Sequence, residues 1–472
     1  MENFKLTKIV ATIGPASDSP EIIEKLILSG VNIFRFNTKH ATPAWHDERI
    51  KLVQKIADNM GKNVGILLDL QGPEIRLETK NDEDIKLKTG DEVIISKNFS
   101  LMNTQIIIPH LAIFNNLLET GDDLLIDNGY VETKVVAVTK DSIVIKVKND
   151  CVIENRKGVN LPGKDIDFPS LIDNDLKQLD INSTNKIDFV GLSFVRSAKD
   201  IKILRKEMSK RKISAFIVAK IESQQALNKL DEIIKEADVI MVARGDLGVE
   251  VPIEQLAHWQ LEIITKCRLA NKPVITATQM LESMINNPRP SRAEATDIAH
   301  AIFDGTDAIM LSGETAMGKY PVKAVETMAK IASWNEVRRP EINILKFIKK
   351  SATTSICAAA VSIVKSDISP KIKAIIVLTD SGATARTISR YRLGIPIIAL
   401  TSNQKTAEEL SISFGVIPII MEFPNGLFTT ADKIFENLIK KELLEKNETI
   451  LIIHGQNWQK TGLTNAIQVI TV

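Results

Sequence analysis

Two short apolar segments of the chain end in charged residues that could hold a metal ion and a phosphate group. The segment AFIVAKIE, at 215–222, ends in Lys220 and Glu222, and DVIMVARGD, at 238–246, ends in Asp246. One cation and two carboxylates at strand ends suit a divalent metal with a phosphate beside it. Two buried strands that simply end at solvent would show the same pattern, because charged residues are common there.

The pattern recurs, and this repetition favours a shared site. Further apolar runs of strand length lie at 7–13, 31–37, 64–69, 189–194, 273–279 and 307–314. All but the first bring polar residues to their ends, namely Arg35, Asn37, Asp69, Ser193, Thr278, Ser312 and Glu314. Most runs are separated by amphipathic segments of helix length, at 21–28, 44–60, 199–210, 253–270 and 292–303. This alternation predicts an α/β fold, a closed (β/α)8 TIM barrel with its active site at the carboxyl ends of the strands.

The chain is too long for one core, and its texture predicts three domains. Between 72 and 166 the sequence alternates with a period of two and carries turn signals, which predicts an inserted all-β barrel domain. We therefore assign 1–71 and 167–340 to the catalytic barrel and 345–472 to a C-terminal open α/β domain. An insertion at this loop would lie above the active-site face and could act as a lid.

The first turn of the C-terminal domain could bind a phosphate group. Residues 379–384, TDSGAT, join its first strand to a helix and supply Thr379, Ser381, Gly382 and Thr384. Small hydroxyl residues and a glycine at a helix N-terminus suit an anion. An ordinary helix-capping turn explains the same residues equally well.

Composition excludes several classes of protein. The 60 basic and 59 acidic residues give a net charge of +1, so no nucleic-acid partner is expected. No apolar run approaches the roughly 20 residues of a membrane span, and no signal peptide precedes the first strand. The three cysteines, Cys151, Cys267 and Cys357, have neither zinc nor disulfide spacing. We expect free thiols in a cytoplasmic protein.

Seven motifs, met in order along the chain, resemble those of the pyruvate kinase family. The motifs read TKIVATIGPAS (7–17), LDLQGPEIR (68–76), AKIE (219–222), MVARGDLGVE (241–250), ATQMLESM (277–284), PRPSRAE (288–294) and MLSGETA (310–316). The resemblance covers the whole barrel, the inserted β domain and the C-terminal domain in order. The resemblance implies transfer of a phosphoryl group from phosphoenolpyruvate to ADP, giving pyruvate and ATP. It also implies a homotetramer.

The resemblance assigns roles to individual residues. Glu222 and Asp246 match the ligands of Mg2+ or Mn2+, and Lys220 matches the lysine that meets the transferring phosphoryl group. Arg35, Ser193 and the N–H groups of Gly245 and Asp246 match positions that contact the substrate in the family. Arg76, Arg35 and Asn37 match positions that contact the nucleotide. Thr278 and Ser312 match the hydroxyl residues associated with protonation of the enolate.

At the family's K+ site this chain departs from the pattern. Asn37, Asp69 and Leu70 match K+ ligands, but Lys39 replaces a serine, and an ammonium cannot coordinate a cation. Either the Lys39 ammonium takes the place of K+, or Lys39 points to solvent and K+ binds less well. In this family a glutamate at the position of Glu74 accompanies K+ dependence.

Two further questions stay open in the sequence. The effector loop has Ala383 where relatives often have a basic residue, and Asp380 adds negative charge, so we expect a monophosphate effector or none rather than fructose 1,6-bisphosphate. A barrel lyase or aldolase would use similar metal-binding carboxylates. A degenerate paralogue kept as a sensor has only Lys39 in its favour.

Overall fold

The barrel domain is a closed ring of eight parallel strands. The computed structural model describes residues 5–100, 104–340, 351–367, 370–422, 431–455 and 464–472. With strands numbered along the chain, β4–β12 lie in the insertion and the barrel consists of β1 (Lys8–Thr12), β2 (Ile33–Asn37), β3 (Gly65–Asp69), β13 (Phe189–Leu192), β14 (Phe216–Ile221), β15 (Val239–Ala243), β16 (Val274–Ala277) and β17 (Ala308–Leu311). All eight predicted strands are confirmed, and the ring closes where β17 pairs with β1.

Helices on the outside of the barrel follow the amphipathic segments. They are α1 (Pro20–Leu28), α2 (Pro43–Asn59), α4 (Asp173–Asn182), α5 (Ala198–Lys210), α6 (Gln224–Asn228), α7 (Leu230–Glu236), α8 (Arg244–Glu250), α9 (Leu256–Ala270), α10 (Arg292–Asp304), α11 (Gly313–Ala316) and α12 (Pro321–Glu336). Local signals fix their ends: α10 begins with a capping box of Ser291 and Glu294 and ends at Gly305, whose φ of 92° suits glycine.

The inserted domain is built from short strands, as its period-two texture predicts. Its described residues form one short α-helix, α3 (Leu111–Phe114), and nine strands: β4 (Glu78–Thr79), β5 (Ile85–Leu87), β6 (Glu92–Ser96), β7 (Ile106–Ile107), β8 (Asp123–Ile126), β9 (Val131–Val138), β10 (Ser142–Val147), β11 (Cys151–Ile153) and β12 (Val159–Asn160). Seven of them form one sheet in the order β12-β8-β9-β10-β6-β7-β4, and β11 pairs with β5. Inward-facing aliphatic side chains give this domain a core of its own.

The C-terminal domain is an open α/β sheet of five strands. Its order is β20-β19-β18-β21-β22, and only the last pair is antiparallel. The elements are α13 (Ala352–Lys365), β18 (Ile372–Leu378), α14 (Ala383–Ser389), β19 (Ile397–Thr401), α15 (Gln404–Glu409), β20 (Val416–Ile420), α16 (Ala431–Lys440), β21 (Thr449–Gly455) and β22 (Thr464–Thr471). The predicted α/β architecture is confirmed, whereas the exact boundaries of the three domains stay a prediction.

The C-terminal domain packs against the amino ends of the barrel strands. The Gly415 N–H donates to the Leu6 carbonyl at 2.8 Å, and Lys8 Nζ donates to the Val416 carbonyl at 2.6 Å. Arg392 pairs with Asp307, which directly precedes β17, at 2.5 Å. The opposite end of the barrel therefore stays free for the predicted site. Within the described residues, no helix combines the length and apolarity needed to cross a membrane.

Two buried carboxyl groups face each other where these domains meet. Asp188 and Glu408 are 2% and 3% exposed, and Asp188 Oδ2 accepts the Ile66 N–H at 2.7 Å. Burial and the neighbouring Glu408 charge raise the pKa of Asp188 to about 8, although the Ile66 N–H and Lys405 oppose the rise. The folded protein therefore holds a proton here that the unfolded chain releases at a lower pH.

This raised pKa predicts that the fold becomes less stable as the pH rises toward 8. Between the ordinary pKa of an aspartate and about 8, the folded state binds one more proton at Asp188 than the unfolded state does. The free energy of unfolding therefore falls as the pH rises through that range. Asp188→Asn keeps an acceptor for Ile66 and removes the titration. We expect wild type to lose a few degrees more in Tm between pH 6 and pH 8 than Asp188→Asn does. Equal losses in the two proteins, measured by scanning calorimetry, would contradict this assignment.

Candidate active site

The alternation of side chains along three barrel strands brings the candidate residues to one mouth. Core residues point into the barrel from β2, β3 and β14, namely Ile33, Leu67 and Val218. Two positions further along the same strands come Arg35, Asp69 and Lys220, which share the inward face because the period of a strand is two. The strands thus end in a charged rim above an apolar plug, as expected for the carboxyl end of such a barrel.

Lys220 lies at the centre of this rim and contacts residues from three strands. Its Nζ donates to Ser193 Oγ at 2.7 Å and lies 2.8 Å from Glu222 Oε1 and 3.7 Å from Asp69 Oδ1. Asp69 Oδ2 accepts a hydrogen bond from Arg35 Nε at 2.6 Å. The structure therefore brings together five residues that the sequence placed at the ends of four separate strands.

The charges of this cluster are strongly coupled. Burial would lower the pKa of Lys220, but Asp69 and Glu222 outweigh it and raise that pKa above its usual value. Burial would raise the pKa of Asp69, whereas Lys220 and Arg35 hold it below the usual range. Burial raises the pKa of Glu222 to about 7, helped by Asp246 and opposed by Lys220. The site thus keeps a permanent ammonium next to a carboxyl group that is easily neutralised.

Glu222 and Asp246 line one cavity between the barrel rim and the inserted domain. The cavity measures about 360 Å3, the lower end of the range for small-ligand sites. Asp246 is partly exposed in the first turn of α8, and Glu222 Oε2 accepts the Phe194 N–H at 2.6 Å. Asn160 of the insertion contacts Glu250 of α8 at 3.4 Å, so the inserted domain forms the cavity's other wall.

Two carboxylates are a fitting donor set for a hard divalent ion. Mg2+ is commonly held by one or two carboxylates and keeps its other positions for water and substrate oxygens. Within the described ranges, no group of three or more His, Cys, Asp or Glu side chains is arranged to enclose a metal ion. Glu222 and Asp246 would therefore share an ion with its substrate rather than bury it in protein.

Thr278 occupies a strained backbone conformation at the end of β16. Its φ is 70°, a value that a β-branched residue such as threonine rarely adopts. The next residue, Gln279, also has a positive φ, 55°. The Thr278 hydroxyl accepts the Gly245 N–H at 2.8 Å and donates to the Ala277 carbonyl at 2.6 Å. In this structure the Gly245 N–H is therefore already bonded, and a substrate carboxylate would have to replace Thr278 to use it.

Ser312 lies on the neighbouring strand end, after β17. Its backbone N–H donates to Glu314 Oε2 at 2.8 Å, and the other oxygen of Glu314 accepts the Leu281 N–H at 3.0 Å. Glu314 therefore ties the loop after β16 to the loop after β17. Burial raises the pKa of Glu314, although three backbone N–H groups oppose the rise.

The ligands predicted for K+ already accept hydrogen bonds from protein donors. Asn37 Oδ1 accepts the Lys39 N–H at 3.2 Å, and the Leu70 carbonyl accepts the Ser193 hydroxyl at 2.7 Å. One Asp69 oxygen is bonded to Arg35. A monovalent cation at this position would share these oxygens with the existing donors.

The Lys39 ammonium forms an ion pair with Glu74 at the edge of the cavity. Its side chain is 32% exposed, and that of Glu74 is 16% exposed. Arg76 also bonds Glu74, with its Nε at 2.8 Å, and donates Nη1 to the Arg156 carbonyl of the insertion at 2.6 Å. Burial opposes the change, but Lys39 and Arg76 lower the pKa of Glu74. Lys39 is thus neither fully exposed nor placed among the oxygens of Asn37 and Leu70.

The candidate effector loop lies in the C-terminal domain, apart from the rim. Thr379 Oγ1 accepts the Gly382 N–H at 2.9 Å, and Gly382 has a φ of 73°. Thr384 Oγ1 shares a hydrogen bond with Thr464 Oγ1 at 2.7 Å, whereas Ser381 is exposed. Two of the hydroxyl groups predicted to bind phosphate are therefore bonded within the protein.

Comparisons with known proteins agree with the motifs. Residues 4–325 match the family model described as pyruvate kinase, barrel domain, and residues 354–470 match pyruvate kinase, alpha/beta domain. A pyruvate kinase from Staphylococcus epidermidis is 40% identical over 99% of this chain and 80% of its own length. One from Staphylococcus aureus is 38% identical over the same shares. The chain belongs to the pyruvate kinase family. It is a phosphotransferase, and nothing in the comparisons favours an impaired paralogue.

A solved pyruvate kinase shares the whole architecture. The crystal structure of a pyruvate kinase from Cryptosporidium parvum matches 99% of this chain and 96% of its own chain, with a TM-score of 0.90 and 33% identity. The predicted combination of TIM barrel, inserted strand-rich domain and C-terminal α/β domain is therefore confirmed as the pyruvate kinase fold.

Arg244 supports this pyruvate kinase site, and reasoning from the sequence missed it. The side chain is buried, donates Nη2 to the Thr278 carbonyl at 2.7 Å, and pairs through Nη1 with Asp297 at 2.6 Å. Because Gly245 binds the Thr278 hydroxyl, adjacent residues of α8 hold the strained threonine at two points. In the sequence Arg244 is visible only as a charged residue directly after β15. Its supporting role could not be predicted, because its partners lie 34 and 53 residues further along the chain.

Proposed function

We propose that the rim around Lys220 transfers the phosphoryl group of phosphoenolpyruvate to ADP. One observation carries this assignment, namely the buried Lys220 ammonium in contact with Ser193, Asp69 and Glu222. A fixed cation suits phosphoryl transfer, which depends on positioning and on neutralising charge rather than on a protein nucleophile. Lys220 would meet the transferring oxygens and then the developing enolate.

Glu222 and Asp246 would hold the divalent ion, Mg2+ or Mn2+, beside Lys220. The bound ion would neutralise charge on phosphoryl and enolate oxygens. Arg35 faces the same rim, and Arg76 lines the cavity from the start of the insertion. We assign Arg35 to the phosphoryl group and Arg76 to the nucleotide, because a guanidinium binds two phosphate oxygens at once.

The protein must also deliver a proton to the enolate carbon. Thr278 and Ser312 lie at adjacent strand ends, and a hydroxyl alone is a poor acid. We propose that a water held by these hydroxyls donates the proton, with Thr278 kept in place by Arg244 and Gly245. In this account the strain at Thr278 serves to aim its hydroxyl.

A substrate panel tests the reaction class. The purified protein would be incubated with Mg2+ and either phosphoenolpyruvate plus ADP, oxaloacetate, or pyruvate plus an aldehyde. We expect pyruvate and ATP in equal amounts from the first mixture and no conversion of the others. Turnover of oxaloacetate or aldehyde without ADP would indicate a lyase or aldolase, and no turnover at all would indicate a sensor.

We further propose that the chain needs K+ little, because Lys39 supplies a permanent cation near the rim. The prediction concerns Lys39→Ser, which restores the family's residue and frees Glu74 from one partner. Wild type should be equally active in Na+ and K+, whereas Lys39→Ser should be activated about tenfold or more by K+. Strong K+ activation of wild type, in assays at fixed ionic strength, would refute the proposal that Lys39 takes the place of K+. It would instead agree with the K+ dependence that accompanies a glutamate at the position of Glu74 in this family.

For the effector loop we propose at most a monophosphate ligand. Thr379 and Thr384 are engaged within the protein, and Asp380 adds a negative charge beside the loop. In a thermal-shift panel we expect fructose 1,6-bisphosphate to leave Tm unchanged, and only a sugar monophosphate or AMP to raise it. Stabilisation by the bisphosphate that disappears in Gly382→Asp would contradict this. We also propose a cytoplasmic homotetramer, which light scattering after gel filtration would test.

A further inference from the structure

A second cluster of cations lies at the opposite end of the barrel from the active site. A cleft between the starts of β16 and β17 and the C-terminal domain is lined by five cationic side chains, Arg268, Lys272, Arg386, Arg390 and Arg392. Asp307 is the only carboxylate among its lining residues. Burying so many charges of one sign is costly unless each of them has a hydrogen-bonding partner.

Asp307 accepts three hydrogen bonds from other donors. Its Oδ2 accepts from Arg392 at 2.5 Å and from the Val274 N–H at 3.1 Å, and its Oδ1 accepts the Phe414 N–H at 3.0 Å. Arg392 also donates Nε to the Gly305 carbonyl at 2.9 Å. None of the hydrogen bonds to Asp307 comes from Arg268 or Arg390.

Two of the other cations have partners of their own. Lys272 donates to the Ala237 carbonyl at 2.5 Å, and Arg386 donates to the Ser381 carbonyl at 3.0 Å. Asp238 and Glu409 add negative charge near Arg386. Arg386 Nη1 has no hydrogen bond to a described residue either, but these two carboxylates lie near it, so the imbalance is greatest at Arg268 and Arg390.

Arg268 and Arg390 bury N–H groups that have no acceptor. The two residues are 2% and 6% exposed, yet Arg268 Nη1 and Arg390 Nε and Nη2 form no hydrogen bond to any residue that the structure describes. The Ser413 hydroxyl on the same cleft is also unpaired. Leaving a buried charged donor without an acceptor is costly, and an anion would supply both a hydrogen-bond acceptor and the missing negative charge.

We propose that this cleft binds a compact inorganic anion between Arg268 and Arg390. The enclosed volume of the cleft is only about 10 Å3, which is about one water-sized sphere. A halide would need a small outward movement of the side chains, and a single phosphate or sulfate group would need a larger one. A complete sugar phosphate does not fit.

Such an anion would join two domains. Arg268 belongs to α9 of the barrel, whereas Arg390 directly follows α14 of the C-terminal domain, and Arg268 already donates to the Arg390 carbonyl at 3.3 Å. A ligand that binds only the docked arrangement stabilises it by RT ln(1 + [L]/Kd). The anion would therefore raise the stability of the folded chain independently of its catalytic activity.

Thermal unfolding in an anion series tests the proposal. At fixed ionic strength, gluconate would be exchanged for chloride or bromide, with sulfate and phosphate as separate arms. We expect a saturable rise in Tm of a few degrees for wild type, its loss in Arg390→Gln and Arg268→Gln, and its retention in Arg49→Gln, a control on the distant helix α2. If only the oxyanions give an Arg390-dependent rise, the ligand is a phosphate or sulfate group.

A second measurement does not depend on the stability of the variants. Wild-type crystals grown in bromide should give an anomalous peak in contact with both Arg268 and Arg390. General salt effects raise Tm without saturation and regardless of these residues. Equal Tm shifts in wild type and both variants would overturn the proposal, as would the absence of a bromide peak together with no oxyanion density in the cleft.

Discussion

Replacing Lys220 by methionine is expected to lower kcat by about a thousandfold. Methionine keeps the length of the side chain but removes the ammonium that contacts Ser193, Asp69 and Glu222. Loss of one preorganised charged donor in a water-excluded site typically reduces kcat by about 10^2 to 10^3, and this one serves both the phosphoryl group and the enolate. Initial rates with saturating phosphoenolpyruvate, ADP and Mg2+ measure the effect.

The controls must separate chemistry from folding. Removing one partner from a buried charge cluster destabilises it, so the Tm of Lys220→Met has to be measured with the rates. Ser193→Ala deletes a single neutral partner of the ammonium and should cost no more than about tenfold in kcat. Lys62→Met removes an exposed lysine and should change neither quantity. A folded Lys220→Met with kcat within tenfold of wild type would refute the role of Lys220.

Glu222→Gln and Asp246→Asn are expected to raise the Mg2+ concentration for half-maximal activity at least a hundredfold. Each substitution keeps the size of the side chain and removes one of two anionic oxygen ligands. Because Glu222 also pairs with the buried Lys220 ammonium, the Tm of the metal-free variants has to be measured with the rates. Lost activity with retained Tm would separate a metal ligand from a structural carboxylate.

The affinity for Mn2+ can be measured directly, independently of catalytic turnover. Water-proton relaxation should show tight Mn2+ binding to wild type with phosphoenolpyruvate, and weak binding to both variants. Glu254→Gln, an exposed carboxylate on the approach to α9, is the matched control and should bind like wild type. Unchanged Mn2+ affinity in Glu222→Gln and Asp246→Asn would place the metal elsewhere.

The sequence predicted the barrel well because its strands are buried on both faces and read as continuous apolar runs. Each of the eight runs is a strand in the structure, and polar residues at their ends meet at one rim. In the insertion β4, β7, β8, β11 and β12 were not predicted individually, because each has only two to four residues and so shows little periodicity. The antiparallel β22 was likewise not identified.

The sequence could not predict which residues that are far apart along the chain contact each other. Lys39 and Glu74 are 35 residues apart, and nothing local distinguishes their ion pair from exposure to solvent. The contact of Arg244 with Thr278, the Asp188 carboxyl group and the Arg268–Arg390 cleft all arise where separate elements pack together. Such groups become recognisable only when their neighbours and unpaired atoms can be counted.

The most direct test of the account is phosphoryl transfer in a single turnover. Protein in excess over phosphoenolpyruvate would be mixed with ADP and Mg2+, quenched, and analysed for ATP and pyruvate, with wild type and Lys220→Met run side by side. We expect equal amounts of both products from wild type and a transfer step about a thousandfold slower in Lys220→Met. Equal transfer rates in the two folded proteins would contradict it.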